Sequence, residues 1–306
     1  MPVKGEAMKV ALASCKELPG WEVDDRPLHE ALAALGAEVT TPPWDDSDFP
    51  WEDQDAVLIR TTWDYWDRRE AFVSWALETA GKTRLYNRAN VIQWNTDKTY
   101  LRELEQLGVR IAPTVWLNND GARDVGALMA EHGWNRGFLK PVVGAAASDT
   151  LRFRDDSEGI DSANAHLEET LPRVSMMLQP YLAQVETFGE VSFLFFGGEF
   201  SHSVQKIPIN GDYRVQDDFG AKDMPYKASD EEISMAMHTL AAASKACPGQ
   251  NGDSFLYARV DYLKDDEGNW ILTELELVEP SLFFRHTDRG AEMLAKTLYG
   301  WLKNEG

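Results

Sequence analysis

Glu274 and Glu276 stand two apart in WILTELELVEPSLFF, a stretch that alternates as a half-buried strand does. Residues two apart on a strand share a face, so this pattern holds two carboxylates side by side against their own repulsion. Before the turn KDDEGN, the segment RVDYL carries Arg259 and Asp261 with the same alternation. Neighbouring strands joined by that turn would bring Asp261 next to Glu274, with Glu276 as a third candidate. These are hard oxygen donors of the kind that hold Mg2+ between protein carboxylates and substrate phosphates. A bound cation would relieve the repulsion that the acids otherwise suffer. A solvated hairpin face that merely carries acids is the plain alternative.

Other residues supply what a nucleotide would need. Lys98 and Lys140 are well-separated cations, and Lys140 ends a strand followed by PVVGAAAS. Small residues let such a loop close on phosphates through backbone N–H groups and Ser148. The GxxxxGK[ST] order of a P-loop is absent. QPYL leaves an apolar strand in a way that can present Tyr181 and Leu182 to an adenine edge, and Glu190 follows where ribose hydroxyls would lie. Earlier, RTTWDYW places Arg60 and Trp63 at the carboxyl end of a strand, where open α/β sheets bind ligands. Arg60 could clamp a substrate carboxylate by a bidentate contact. An ordinary salt bridge beside packed tryptophans is the competing reading. No GxSxG nucleophile motif occurs, and no histidine is required as a base; His286, in SLFFRHTD, is nearest the proposed chemistry.

The elements that must position these groups fall into two kinds. MKVALASC, EVTTPPW and DAVLIR read as short strands, and RPLHEALAALG and REAFVSWALETAG as the helices between them. This β-α alternation predicts a small open α/β domain over roughly the first 90 residues. From WNTDK onward the pattern changes. Asn95 or Thr96 is expected to cap a helix containing Lys98 and ended by Gly108. GFLKPVVGAAASDTLRF reads as strand, loop, strand, and DDSEGIDSANAHLEET as an acid-rich surface loop with a weak helix. FGGEF and KDDEGNW are hairpin turns, which predicts an antiparallel sheet, with helices near 229–246 and 288–300.

Composition narrows the partners. The chain has 306 residues and 51 acids against 30 Lys plus Arg, a net charge of −21. A field of that sign repels a phosphate backbone, so nucleic acid is not an expected partner. No apolar run approaches the length of about 18–20 residues that spans a membrane. The short apolar run before Ser14 is too brief for a signal-peptide core, so the expected location is cytoplasmic. Cys15 and Cys247, the only cysteines, cannot build a disulfide framework or a cysteine metal cluster.

The ordered series Lys98, Lys140, QPYL, Glu190, RVD and ELE before EP resembles the ATP-grasp superfamily of carboxylate–amine ligases, particularly glutathione synthetases and D-alanine–D-alanine ligases. The likeness covers about residues 90 to 300. It implies an α/β and α+β fold: a small open α/β N-terminal domain on the substrate side (1–90), followed by an ATP-grasp fold with a first subdomain (91–178) and a C-terminal subdomain built on an antiparallel sheet (179–306). It also implies ATP as substrate, with Mg2+, for which Mn2+ may substitute. Lys98 and Lys140 would touch ATP; Gln179, Tyr181 and Leu182 would line the adenine pocket; Glu190 would hold the ribose. Asp261 and Glu274 would bind metal. The family's usual third ligand is an asparagine, and Glu276 stands in its place here. Lys206, Arg214 and Arg259 would surround the transferred phosphoryl group, and Glu279 and Ser281 would lie near the acceptor. The implied reaction activates a carboxylate as an acylphosphate, which a nitrogen nucleophile then attacks, on a small amino-acid-like substrate and in a monomer or homodimer. RTTWDYW, NTDK and ELELVEPSLFF look more narrowly like the cyclo-ligases of cycloserine biosynthesis. A nucleotide-binding protein without turnover is the rival from another class.

Overall fold

The computed structural model of the protein describes residues 7–18, 24–119, 124–144, 147–216 and 219–304. Its first sheet is entirely parallel, with strand order β2-β1-β3-β4: β1 is Lys9–Ser14, β2 Glu38–Thr40, β3 Ala56–Thr61 and β4 Leu85–Tyr86. All of β3 is buried, and all of β1 except Lys9, as expected of strands covered on both faces. Helices α1 (Arg26–Ala34) and α2 (Arg69–Ala80) follow β1 and β3. Pro27 opens α1, where its fixed φ and missing N–H cost nothing. This is the expected open α/β unit.

Two short helices, α3 (Ala89–Asn95) and α4 (Tyr100–Gln106), replace the single helix expected around Lys98. Asn95 does not cap a helix. Its side chain is buried, donates to the carbonyl of Leu275 and accepts from the N–H of Leu277, at 2.8 Å each. That tertiary use of the amide breaks the helix and leaves Lys98 on the connection, where its own N–H bonds the Val142 carbonyl at 2.7 Å.

A second sheet, order β5-β8-β6-β7, comprises β5 (Val115–Leu117), β6 (Arg136–Pro141), β7 (Leu151–Arg154) and β8 (Met176–Pro180). It carries α5 (Val125–His132) and α6 (Ser157–Thr170). The acid-rich segment is thus mainly helix. Asp156 caps α6 by accepting from the Gly159 N–H at 2.8 Å, and Ala163 and Leu167 bury one stripe.

The third sheet is antiparallel, order β11-β10-β9-β12-β13: β9 Glu190–Phe196, β10 Glu199–Ile207, β11 Lys222–Tyr226, β12 Tyr257–Lys264 and β13 Trp270–Glu276. Both expected hairpins are present. Helix α7 (Asp230–Ala246) starts on a capping box between Ser229 and Glu232. The last helix, α8 (Gly290–Asn304), packs its Leu294 and Leu298 into a core shared by α1, β1 and β9. That core ties the first sheet to the third. Among the described residues, no helix is long and apolar enough to cross a membrane.

Candidate active site

A cavity of about 420 Å3 lies between the second and third sheets, closed on one side by Trp63 and Tyr65 from the loop after β3. Strand register decides its chemistry. Asp261 pairs directly with Glu274, and Arg259 with Glu276, as the alternation across the hairpin predicts. The register then slips by one residue, and Tyr262 pairs with Leu272. Thr273 is the extra residue of this bulge. Its hydroxyl donates to the Asp261 carbonyl at 3.0 Å and lies 3.1 Å from Glu190, while its carbonyl accepts from the Lys140 ammonium at 3.2 Å.

Charges interlock around that bulge. Arg259 reaches both oxygens of Asp261 at 3.0–3.1 Å and also bonds Glu276. Ser192 donates to Asp261 at 2.6 Å, and Lys206 pairs with Glu190 and lies 3.7 Å from Asp261. Lys98 sits 3.0 Å from Glu274 and donates to the Gly144 carbonyl at 2.7 Å. Buried charges persist only when paired in this way.

The remaining imbalance appears in the acidities. Burial opposes ionisation of Asp261, yet Arg259 and Lys206 hold its carboxyl below the usual range. Lys98 and Lys140 do the same for Glu274. Glu276 is pushed up to about 8 by burial, with Asp261, Glu274 and Glu279 adding to the rise against Arg259. Glu279 is pushed up to about 7 by burial and by Glu274. Lys140 is pulled down to about 8 by burial, with Lys98 adding to the fall.

Carboxylates that resist ionisation together mark a place where an added cation would be stabilised. Among the described residues, no three acid, histidine or cysteine side chains are preassembled around one point that could hold a metal ion. The donor set nevertheless suits Mg2+, which takes one or two protein carboxylates and completes its octahedron with phosphates and water.

The other end of the cavity is apolar. Phe138, Tyr181, Leu182, Val185, Tyr213 and Val215 line it, with Gln179, whose amide donates to the Thr114 hydroxyl at 2.8 Å. Tyr181 donates to Glu186 at 2.6 Å, and Arg152 lies over the rings of Tyr181 and Tyr213. Ser148 lines the cavity; Ala145 and Ala146 of its loop lie outside the described residues. Arg214 also lines it, pinned to Asp212 at 2.7 Å and stacked 3.8 Å from the Phe219 ring centre. The neighbouring Asp217 and Asp218 lie outside the described residues.

One expectation is corrected. Arg60 is 1 % exposed and does not line this cavity. A guanidinium taken that far from water needs a fixed counter-charge. Asp25 provides it through two hydrogen bonds of 2.9 and 3.0 Å, and the Pro280 carbonyl accepts a third at 2.9 Å. Arg60 therefore braces the segment after β13 through Asp25 and Pro280, away from the cavity where a substrate carboxylate would lie.

Trp63, Glu279 and Ser281 do meet at the cavity, and the Trp63 indole donates to the Glu279 carbonyl at 3.2 Å. His286 stands outside it, 3.3 Å from Asp223. Sequence reasoning missed Tyr65 and Thr273. The aromatic spacing of WDY hints at Tyr65, whereas nothing local marks a bulge at Thr273.

Comparison with known proteins agrees with this geometry. The family described as the N-terminal domain of D-cycloserine synthetase DcsG matches residues 10–87. The cycloserine biosynthesis protein DcsG of Streptomyces lavendulae is 29 % identical over 291 residues, spanning 92 % of this chain and 95 % of that protein. The crystal structure of D-cycloserine synthetase DcsG superposes with a TM-score of 0.86 at 26 % identity, over 96 % of this chain and 99 % of that one. The D-alanine–D-alanine ligase of Bacillus anthracis, complexed with ATP, shares the fold at a TM-score of 0.68 and 16 % identity, over 98 % and 100 % of the two chains. Taken with the bulged acidic hairpin and the lysines facing it, these likenesses show that the chain has the fold of the ligases it resembles.

Proposed function

We propose that this protein is an ATP- and Mg2+-dependent ligase that activates a carboxylate of a small amino-acid-like substrate as an acylphosphate and joins it to a nitrogen. The observation that carries this reading is the cross-strand pair Asp261–Glu274 together with Lys98 and Lys140 in the lining of one cavity. Lys98, Lys140 and Ser148 would meet the phosphates. Gln179, Tyr181 and Leu182 would take the base, and Glu190 the ribose. Asp261 and Glu274, with Glu276 beside them, would hold Mg2+, which when bound neutralises charge on the phosphates. Mn2+, with the same taste for six oxygen ligands, would substitute.

Transfer of a phosphoryl group depends on positioning and on cancelling the charge of its equatorial oxygens. Lys206 and Arg259 are the fixed cations for that task, because their own carboxylate partners hold them still. Arg214, on the loop beyond β10, would close over the group and keep water from the acylphosphate. Trp63, Glu279 and Ser281 would orient the acceptor. Every residue in this account belongs to one chain, so a monomer or a homodimer would serve, and a cytoplasmic location would supply the ATP.

The likeness to D-cycloserine synthetase favours a narrower version, in which carboxylate and nitrogen belong to one molecule and the product is a ring. Incubation with ATP, Mg2+ and a panel of amino acids and linear amino-acid derivatives tests both versions, scored by phosphate release and product mass. A product lighter than its substrate by one water supports ring closure. A product joining two molecules supports intermolecular ligation. No phosphate release with any acceptor removes the ligase reading.

A further inference from the structure

Pairing the charges that line the cavity leaves two groups over among the described residues. Lys98 is matched by Glu274, Lys206 by Glu190 and Asp261, Arg259 by Asp261 and Glu276, and Arg214 by Asp212. Lys140 makes no ion pair with a carboxylate within 4.0 Å, and Glu279 makes none with a cation, Lys98 acting on it only from farther away. The lone lysine belongs to β6 and suits a phosphate. The lone glutamate follows β13 beside the first sheet and faces the acceptor space.

The surroundings of Glu279 select a cation. The phenol of Tyr65, 7 % exposed, stands beside its carboxyl, and the Trp63 indole donates to its backbone carbonyl at 3.2 Å. Trp63 and Tyr65, both in contact with Glu279, also line the cavity, and aromatic faces attract an ammonium. Apart from Lys140, the cations of the cavity are already engaged, Lys98 by Glu274 among them. Arg60 is committed to Asp25 and Arg259 to two carboxylates. Glu274, the nearest further acid, would attract the same positive charge.

We propose that Glu279, held in place by Tyr65, is the receptor for a substrate ammonium group. This rests on the ligase reading for the identity of the cavity, and it adds a substrate class: molecules that keep a free, protonated amine at the acceptor end. An ammonium bound in this way has no lone pair, so the nitrogen that forms the new bond is a different, neutral one. Tyr65 acts as a positioning residue. It lends its proton to the carboxylate when the seat is empty and fixes the oxygen that faces the amine when it is full.

The test uses the whole protein with Mg2+ and ADP present, and D-cycloserine and N-acetyl-D-cycloserine as probes, titrated by calorimetry. These two differ in the charge of one amine. The wild type should bind the free amine at least about tenfold more tightly, the worth of one charge-assisted hydrogen bond. Glu279→Gln should lose that preference, Glu279→Asp should recover part of it, and Tyr65→Phe should fall between. A melt of each variant checks folding, and if Glu279→Gln fails to fold, the aspartate and phenylalanine variants carry the comparison. Equal binding of both probes by the wild type, binding of neither, or a preference unchanged in the variants overturns the proposal. Phosphate release with amino-acid acceptors is a separate measurement. Its absence would remove the ligase reading while leaving the amine preference standing.

Discussion

Lys140 loses more by leaving water than its neighbours return, which brings its ammonium down to about 8 from an ordinary 10.5. Below pH 8 it is charged in the empty protein and ready for a phosphate. Above pH 8 the empty protein has shed that proton, and binding must take one up. ATP affinity should therefore fall as pH rises through about 8, by at most about tenfold per unit. Stability should move the other way. The folded chain binds fewer protons than the unfolded one between 8 and 10.5, so this group contributes a rise in stability across that window. Lys140→Met should flatten both dependences and weaken ATP binding at pH 7, as nucleotide titrations and melts over a pH series would show. The two glutamates of β13 should also separate. Glu274 is held ionised by Lys98 and Lys140, whereas Glu276 is pushed up to about 8. Glu274→Gln should then lower turnover by about a hundredfold or more, the scale of losing a main electrostatic contact at a transferring group. Glu276→Gln, replacing a carboxyl already reluctant to ionise, should lower it less. Initial-rate phosphate release at saturating ATP and Mg2+ decides the order, and a reversed order would move the metal assignment from Glu274 to Glu276.

At the level of elements, the site depends on how β9 begins. Gly189 has a φ of +82°, in the left-handed region, and a Cβ placed on it would stand 2.1 Å from the Lys206 carbonyl oxygen. Backbone cannot yield there without moving both Glu190 and Lys206, which pair across β9 and β10. Gly189→Ala should destabilise the fold by about 2–4 kcal/mol, from steric and dihedral strain together. It should also raise the KM for ATP by displacing Glu190. Urea unfolding and steady-state kinetics would show both effects, and a fully stable variant with unchanged KM would mean that the strand start is softer than its packing implies. The bulge at Thr273 is the companion device. It lets Asp261 and Glu274 stand opposite one another while turning a carbonyl towards Lys140.

Across the whole molecule, Tyr257 links the first sheet to the third. Its side chain is fully buried on β12, and its hydroxyl lies 2.8–3.0 Å from the carbonyls of Ile59, Tyr86 and Val278. Nearby, Asn87 extends the seam by donating to the Tyr257 and Leu277 carbonyls and accepting from the Leu256 N–H. Tyr257→Phe should cost about 1–3 kcal/mol, the penalty for stranding buried carbonyls. Because the seam also sets where Trp63 and Tyr65 meet Glu279, the variant should raise the acceptor's KM more than that of ATP. Denaturation and two-substrate kinetics would measure the two effects. A stability loss with both KM values unchanged would restrict Tyr257 to holding the fold.

Local pattern in the sequence was sufficient for the parallel first unit, both hairpins and the pairing of Asp261 with Glu274. Alternation and turn residues act over a few positions and leave a written trace. The break at Asn95 was not legible, because its amide is spent on the backbone of Leu275 and Leu277, 180 residues away or more. Nor was the fate of Arg60, whose type and place at a strand end suited a ligand until Asp25 took its charge. The bulge at Thr273 and the solitary charge of Glu279 likewise exist only once strands from distant segments are aligned. Sequence determined which charges the site would contain. Tertiary structure decided which of them cancel, because burial and Coulomb forces depend on distance in space and not along the chain.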